Sequence, residues 1–349
     1  FYAVTDYANN TALVNVPNAN FKNPNKNNWD PRFGFAYDMF SDHKTALRGG
    51  FAITHSPVFV AQYNPMYTAV APWPSFTQNN PTYPNINFTT VSNSVSPGWD
   101  YYIEKAPYLV QYNLNLQREL MPGTILTVGY VGSHGVDMFT QQERNAPSFT
   151  IGPNGYNFRN AAGTALNPRL NPKFSTVLMA TTGTTSRYDS LQASVNRRMN
   201  RNVQFQVAYT FSKCIDDGSS PLGSISGGNT SSNYMNPFDR SMDKGLCYFN
   251  AKSTLRINSV VNLPFKGNMF IEGWQVSGIV TQNTGLPFSP YVGADTVGWA
   301  TSSNVRPNYV AGCNVQTQSV NQWFNPACYS LPAPGTLGNA GRDSVIGPG

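Results

Sequence analysis

Between Tyr188 and Phe211 the chain reads YDSLQASVNRRMNRNVQFQVAYTF, and apolar residues fall on every second position. Leu191, Ala193 and Val195 share one side of an extended backbone, with Gln192, Ser194 and Asn196 on the other. After RRMNRN the alternation resumes, setting Val203, Phe205, Val207, Tyr209 and Phe211 against Gln204, Gln206, Ala208, Thr210 and Ser212. Period two on both sides of a short break predicts a β-hairpin. A water-facing strand surface usually carries Lys and Glu, whereas this one carries Gln, Asn, Ser and Thr. The apolar side therefore need not be the inside. A transmembrane β-barrel points apolar residues at lipid and polar residues at a lumen, with strands of ~9–11 residues.

The rhythm recurs in three more places. RFGFAYDMF, the turn SDHK and TALRGGFAIT form one hairpin: Phe33, Phe35, Tyr37 and Met39 alternate with small residues, and Leu47, Phe51 and Ile53 oppose Arg48, Ala52 and Thr54. PYLVQYNLNLQREL puts Val110, Tyr112, Leu114 and Leu116 opposite Gln111, Asn113, Asn115 and Gln117, turns at MPG, and returns through Leu126, Val128 and Tyr130 to GSHG. In the fourth, Leu255, Ile257, Val261 and Leu263 oppose Arg256, Asn258 and Asn262, and after PFKGNMFIEG the run Trp274, Val276, Val280 resumes. The expected hairpins lie near 32–54, 107–133, 187–213 and 253–282, within a partial barrel over about 32–284.

What joins them is long. Residues 1–31 are Asn- and Pro-rich loop; about 56–105, 135–187 and 212–252 read as loops, the second with a short strand suggested at STVLMA and the last with few apolar anchors; 285–349 reads as a further long loop segment. Connections usually span ~4–6 residues. Short turns at one end and long loops at the other match the asymmetry of outer-membrane barrels, short in the periplasm and long outside. The fold class expected is all-β: an antiparallel transmembrane β-barrel, partial in this chain. Starting at Phe1 without Met and stopping at GPG, the sequence reads as a fragment, with the barrel cut off after the last loop.

Composition sharpens this picture. Charged residues are 11%, against ~25% in typical soluble domains, while aromatics reach 13%. No run of 18 or more apolar residues occurs, so any crossing must use strands. The formal charge of +6 would suit nucleic acid, but the basic residues are scattered and the tight group Arg197, Arg198 and Arg201 sits on a hairpin turn, so no nucleic-acid partner is expected. Four cysteines show no zinc spacing. In an oxidising compartment they allow three connectivities; proximity favours Cys214 with Cys247 and Cys313 with Cys328, and buried free thiols are the alternative.

Candidate chemistry is sparse. His43, His55 and His134 have no shared-metal spacing, GSHG is not a nucleophile elbow, and the polar strand faces carry almost no carboxylates. No catalytic residue, metal or cofactor is expected. Asp216, Asp217 and Gly218 suggest calcium weakly and a polar turn more strongly. NFT at Asn87 and NTS at Asn229 match glycosylation acceptors at chance level. The better site hypothesis is diffuse: lumen-facing Arg48, Gln111, Asn113, Asn115, Gln192, Asn196, Gln204, Gln206, Arg256 and Asn258, offering hydrogen bonds to a plug domain or a passing solute, or simply lining a wet lumen. Tyr63, Tyr67, Trp73, Phe76 and Tyr83 add loop aromatics for sugar or peptide capture, with packing between loops as the plainer role.

Five ordered segments also carry a family resemblance: WDPRFGFAYDMFSDHKTALRGGFAI, YNLNLQRELMPGTILTVGYVGSHG, YDSLQASVNRRMNRNVQFQVAYTFSKCIDD, GWQVSGIVTQNTGLPFSP and WFNPACYSLPAPGTLGNAGRDSVIGPG. Together they resemble the barrel portion of Oar-like TonB-dependent outer-membrane receptors of the acidobacterial type. The resemblance implies a receptor or transporter in the outer membrane, in contact with its lipid, energised by the TonB complex through a plug domain absent from this sequence, and taking up an unidentified siderophore, glycan or peptide. DKGLCYFNAKSTLRINSVVNLPF departs from the more Asp/Arg/His-rich version usual there. The alternative is a non-transporting outer-membrane adhesin or structural barrel that binds partners through its loops.

Overall fold

In the computed structural model the described residues are 27–56, 105–153, 155–160, 162–172, 177–200, 202–218, 234–293, 296–297 and 305–349, with short pieces at 2–3, 6, 8–9, 14–15, 83–84 and 95–99. Eight strands form one meander: β1 Arg32–Asp38, β2 Thr45–His55, β3 Tyr108–Met121, β4 Thr124–Glu143, β5 Val177–Asn200, β6 Val203–Asp216, β7 Ser253–Asn262 and β8 Gln275–Asn283. Each pairs antiparallel with its sequence neighbours, so spatial order equals chain order and the sheet ends at two open edges, β1 and β8. This is an all-β, antiparallel meander, the arrangement expected of a partial barrel wall. No described helix is long and apolar enough to cross a membrane, which leaves crossing by strands untouched.

Register lines up apolar residues in rows along one face of the sheet. One outward row runs Tyr37, Leu47, Leu116, Val128, Ala193, Tyr209 and Leu255; the next runs Phe35, Gly49, Leu114, Tyr130, Leu191 and Phe211. Such rows survive only if no strand slips by one residue, because a single step would swap the faces. Many side chains of this face are exposed, Phe35 by 54% and Leu191 by 53%, with Phe33 by 71% in the next row. Among the described residues no second layer covers them, as it would in a soluble sandwich. The sheet also spends its glycines here. A Cβ on Gly49 would lie 2.4 Å from the Phe35 ring, and one on Gly132 would lie 2.3 Å from the Tyr112 ring, so each aromatic lies flat over a neighbouring strand.

Several boundaries differ from the sequence expectation. β4 does not end at GSHG but pairs on through Glu143, and β5 begins at Val177 rather than near Arg187, giving strands of 20 and 24 residues. That exceeds the ~9–11 residues that span hydrocarbon, and the excess lies at the end where the long segments attach. There neither face meets lipid, so apolar-polar alternation has no reason to persist and the pattern stops reporting the strand. Within 56–105, read as loop throughout, Val95–Trp99 pairs in parallel with Val177, Met179 and Ala180 of β5.

The segments beyond the strands form a folded cap. Among the described residues, every buried hydrophobic side chain except Cys214 lies outside the eight strands. Ala146, Phe158, Met235, Val297, Val305 and Leu337 pack together, joined by Phe149, Tyr156, Met242 and Val292. The stretch read as having few apolar anchors thus supplies Tyr234 and Met235, and 285–349 is not a plain loop but part of this core, with short pairs at 287–288 with 345–346 and 308–309 with 329–330. Several polar groups inside are matched. Asn145 Nδ2 donates to Asn171 O at 3.0 Å while its Oδ1 accepts from Asn171 N at 2.7 Å, and Asp243 accepts from Met235 N at 2.9 Å.

Candidate functional site

The ten predicted lumen residues fall on one side of the sheet by register. Arg48 pairs with Asn115, which opposes Gly129, which opposes Gln192; a lower row joins Asn196, Gln206 and Asn258. Gln111 and Asn113 sit on β3 above Asn115; Gln204 lies on β6 below Gln206 and Arg256 on β7 above Asn258. Neighbouring amides hold one another, as in Asn115 Nδ2 to Asn113 Oδ1 at 3.1 Å, and Gln192 Nε2 donates to Ser190 Oγ at 3.3 Å. Asn115 lies over Gly129, where a Cβ would come within 1.8 Å of its Oδ1. The result is a lattice of mostly neutral amide donors and acceptors with Arg48 and Arg256 among them, suited to passing contacts with hydroxyls and amides.

These residues do not converge on a single pocket. Arg256 lines a cavity of about 370 Å³ at the cap end with Tyr188, Thr210, Phe249 and Asn250. Arg48 lines another, about 280 Å³, at the short-turn end with His43, Gln117, Glu119 and Arg198. Sequence reasoning missed Phe249 and Asn250, which lie in the third connecting segment. A disulfide between Cys214 and Cys247 pins that segment to the end of β6, and Asn250 Oδ1 accepts from Cys214 N at 2.7 Å. The available signal was the position of Cys247, two residues before Phe249.

Two buried arginines hold the cap: Arg306 ties it together, and Arg342 fastens it to the end of β6. Arg306 donates to Asp243 at 2.8 Å, to Met242 O at 2.6 Å and to Ala340 O at 2.9 Å. Arg342 donates to Asp243 O at 2.6 Å and to the carbonyl and carboxylate of Asp216. Burial pushes the Asp243 carboxyl above the usual carboxylate value, against the downward pull of Arg306. Burial raises Asp343 too, against its hydrogen bond from Ser289 and the charge of Arg342. Gly245 permits this contact, since a Cβ there would lie 2.3 Å from Arg342 O.

The remaining candidates have separate partners. Asp216 is taken by Arg342, and Asp217 accepts from Arg240 Nη2 at 2.9 Å, so the Asp-Asp-Gly turn is bound to guanidinium groups. His43 pairs with Asp38 at 2.9 Å, His55 with Asp30 at 2.7 Å, and His134 Nδ1 meets Ser186 O at 3.0 Å. A second disulfide joins Cys313 to Cys328. Tyr83 is exposed; Tyr63, Tyr67, Trp73, Phe76, Asn87 and Asn229 lie outside the described residues.

A family model described as outer membrane beta barrel domain matches residues 2–349. The chain belongs to that family. Its location in the outer membrane follows from that membership. Among solved structures, the barrel domain is similar to the FpvAI–pyocin S2 complex at 12% identity, over 75% of this chain and 23% of that one, with a TM-score of 0.38. It is also similar to the alcaligin outer membrane receptor FauA from Bordetella pertussis at 12% identity, over 74% of this chain and 30% of that one, with a TM-score of 0.34. The barrel domain therefore spans less than a third of either. Among curated proteins, none matches the chain by sequence.

Proposed function

We propose that this chain is barrel wall and cap of a TonB-dependent receptor of the Oar-like, acidobacterial type, which takes up a solute across the outer membrane. The observation that supports it best is the lumen face itself, amide and hydroxyl rows in register from β2 to β7 beneath a folded cap. A solute handed along such a face meets exchangeable hydrogen bonds and no deep trap, which suits a siderophore, glycan or peptide in transit. Short turns then face the periplasm, where a plug domain and the TonB complex would engage the barrel, and the cap faces outward. The chain's own residues line and select; no catalytic role is assigned to them.

The test uses the full-length gene. Its deletion should abolish growth on one class among siderophores, glycans and peptides, and loss of TonB should abolish the same growth. Growth that survives TonB loss but not gene deletion favours a passive pore. No growth defect, with loss of surface attachment instead, favours the adhesin reading, for which the exposed Phe238, Val320 and Leu331 of the cap speak.

A further inference from the structure

We propose that the outward rim of β5 and β6, closed by residues 240–244 of the cap, seats the phosphorylated headgroup of an outer-leaflet glycolipid. Register puts Asp189 opposite Lys213 and, one outward row lower, Leu191 opposite Phe211, both exposed to the membrane side. Above these apolar residues opens a cavity of about 750 Å³, lined by His134, Arg187, Lys213, Asp217, Arg240 and Lys244 among others.

The carboxylates at this cavity are already engaged. Asp189 accepts from Arg187 Nε at 2.8 Å and from the hydroxyls of Tyr112, at 3.3 Å, and Tyr130. Asp217 holds Arg240 at 2.9 Å, and Asp216 holds Arg342. Lys213 and Lys244 are exposed and have no carboxylate partner among the described residues. Lys252 adds a third cation, its Nζ 5.8 Å from the Phe211 ring. Positive charge is thus left unbalanced where the apolar band stops and tyrosine hydroxyls begin, which is headgroup depth in a barrel. Lysines at that depth attract anionic lipid, and phosphate oxygens accept strong charge-assisted bonds from Lys and Arg. A soluble anion in transit would meet the opposite side of the sheet; the occupant of this cavity shares its face with Leu191 and Phe211.

The proposal rests on that face pointing outward and not on uptake, so the experiment separates the two. Full-length protein in phosphatidylcholine nanodiscs is titrated with phosphorylated lipid A, dephosphorylated lipid A and inorganic phosphate. Phosphorylated lipid A should bind saturably, and Lys213→Gln with Lys244→Gln should weaken it about tenfold. Arg256→Gln, on the lumen side, should leave binding unchanged. Equal binding by the double variant and wild type, or by dephosphorylated lipid A, overturns the proposal. Inorganic phosphate competing at the same affinity as lipid A reduces the cavity to an anion site and overturns its lipid half. Both lysines are solvent-facing, and retained heat-modifiable mobility on gels confirms that the variant folds. A Val207→Trp reporter unquenched by brominated lipid would show instead that the outward assignment itself has failed.

Discussion

In the sheet, Phe33, Phe35, Tyr37 and Leu114 stand exposed, whereas in the cap Phe158, Val297, Val305 and Val345 are sealed from solvent. The two regions draw on the same uncharged, aromatic-rich sequence but face different solvents. Lipid rewards no burial of apolar side chains against one another, so the sheet is held by its backbone ladder, which hydrocarbon makes obligatory. The cap sits in water and must build a core, bury its arginines with partners and staple its ends. Both disulfides belong to it, one closing on the cap end of β6 at Cys214 and the other lying wholly within it. Hydrophobic exposure is therefore a statement about the surroundings of each region, not about its stability.

That contrast can be broken at its strongest points. Arg306→Met leaves Asp243 buried without its charge partner, and the loss should be about 3–5 kcal/mol, read as urea unfolding of the cap ahead of the barrel. Full cooperativity between cap and barrel in that variant would show that they are not separate units. In the sheet, Val207→Arg should cost roughly 2–4 kcal/mol when the protein is refolded into lipid vesicles, while Gln206→Arg, one residue away on the lumen side, should stay within about 0.5 kcal/mol of wild type. Equal penalties would mean that the faces have been assigned wrongly. Replacing Cys313 and Cys328 by Ser opens a loop of 15 residues and should lower cap stability by about 3 kcal/mol, and non-reducing peptide mapping should recover a single linked pair. The barrel midpoint should not move.

How much of this was legible follows the same division. Where different surroundings press on the two faces of a strand, every second residue reports them, and all four hairpins were legible with their apolar residues on one face. Past GSHG that pressure stops, so the extension of β4 through Val136–Glu143 was invisible, as was the parallel pairing of Val95–Trp99. The cap carries no periodic signal. Its core joins Ala146, Met235 and Leu337 across long separations, and long-range packing among Gly, Asn and Pro leaves nothing for a local pattern to show. The shared face of the polar residues was readable residue by residue, but the cavity around Arg256 was not, because part of its wall is Phe249 and Asn250, placed by a disulfide rather than by a strand.

The smallest effect sharpens the comparison through two carboxylates shifted in opposite directions. At the sheet's rim the His55 ring meets Asp30 Oδ1 at 2.7 Å and its backbone N–H donates to the same oxygen at 2.9 Å; these bonds, the ring's first, hold the Asp30 carboxyl below the ordinary value. In the cap, burial drives Asp243 the other way. A depressed carboxylate contributes stability above its unfolded pKa, ~3.9, and loses that contribution as pH falls through the lower folded value. Asp30 is open to solvent, so the pair should matter little to global unfolding at neutral pH. Carboxyl NMR titration should therefore find Asp30 protonating at lower pH than Asp243, and His55→Ala should move Asp30 up toward the ordinary value while leaving Asp243 where it is. An Asp30 titration untouched by that substitution would assign its shift to something other than the imidazole. A coupled movement of Asp243 would show that rim and cap communicate, against the division drawn from their packing.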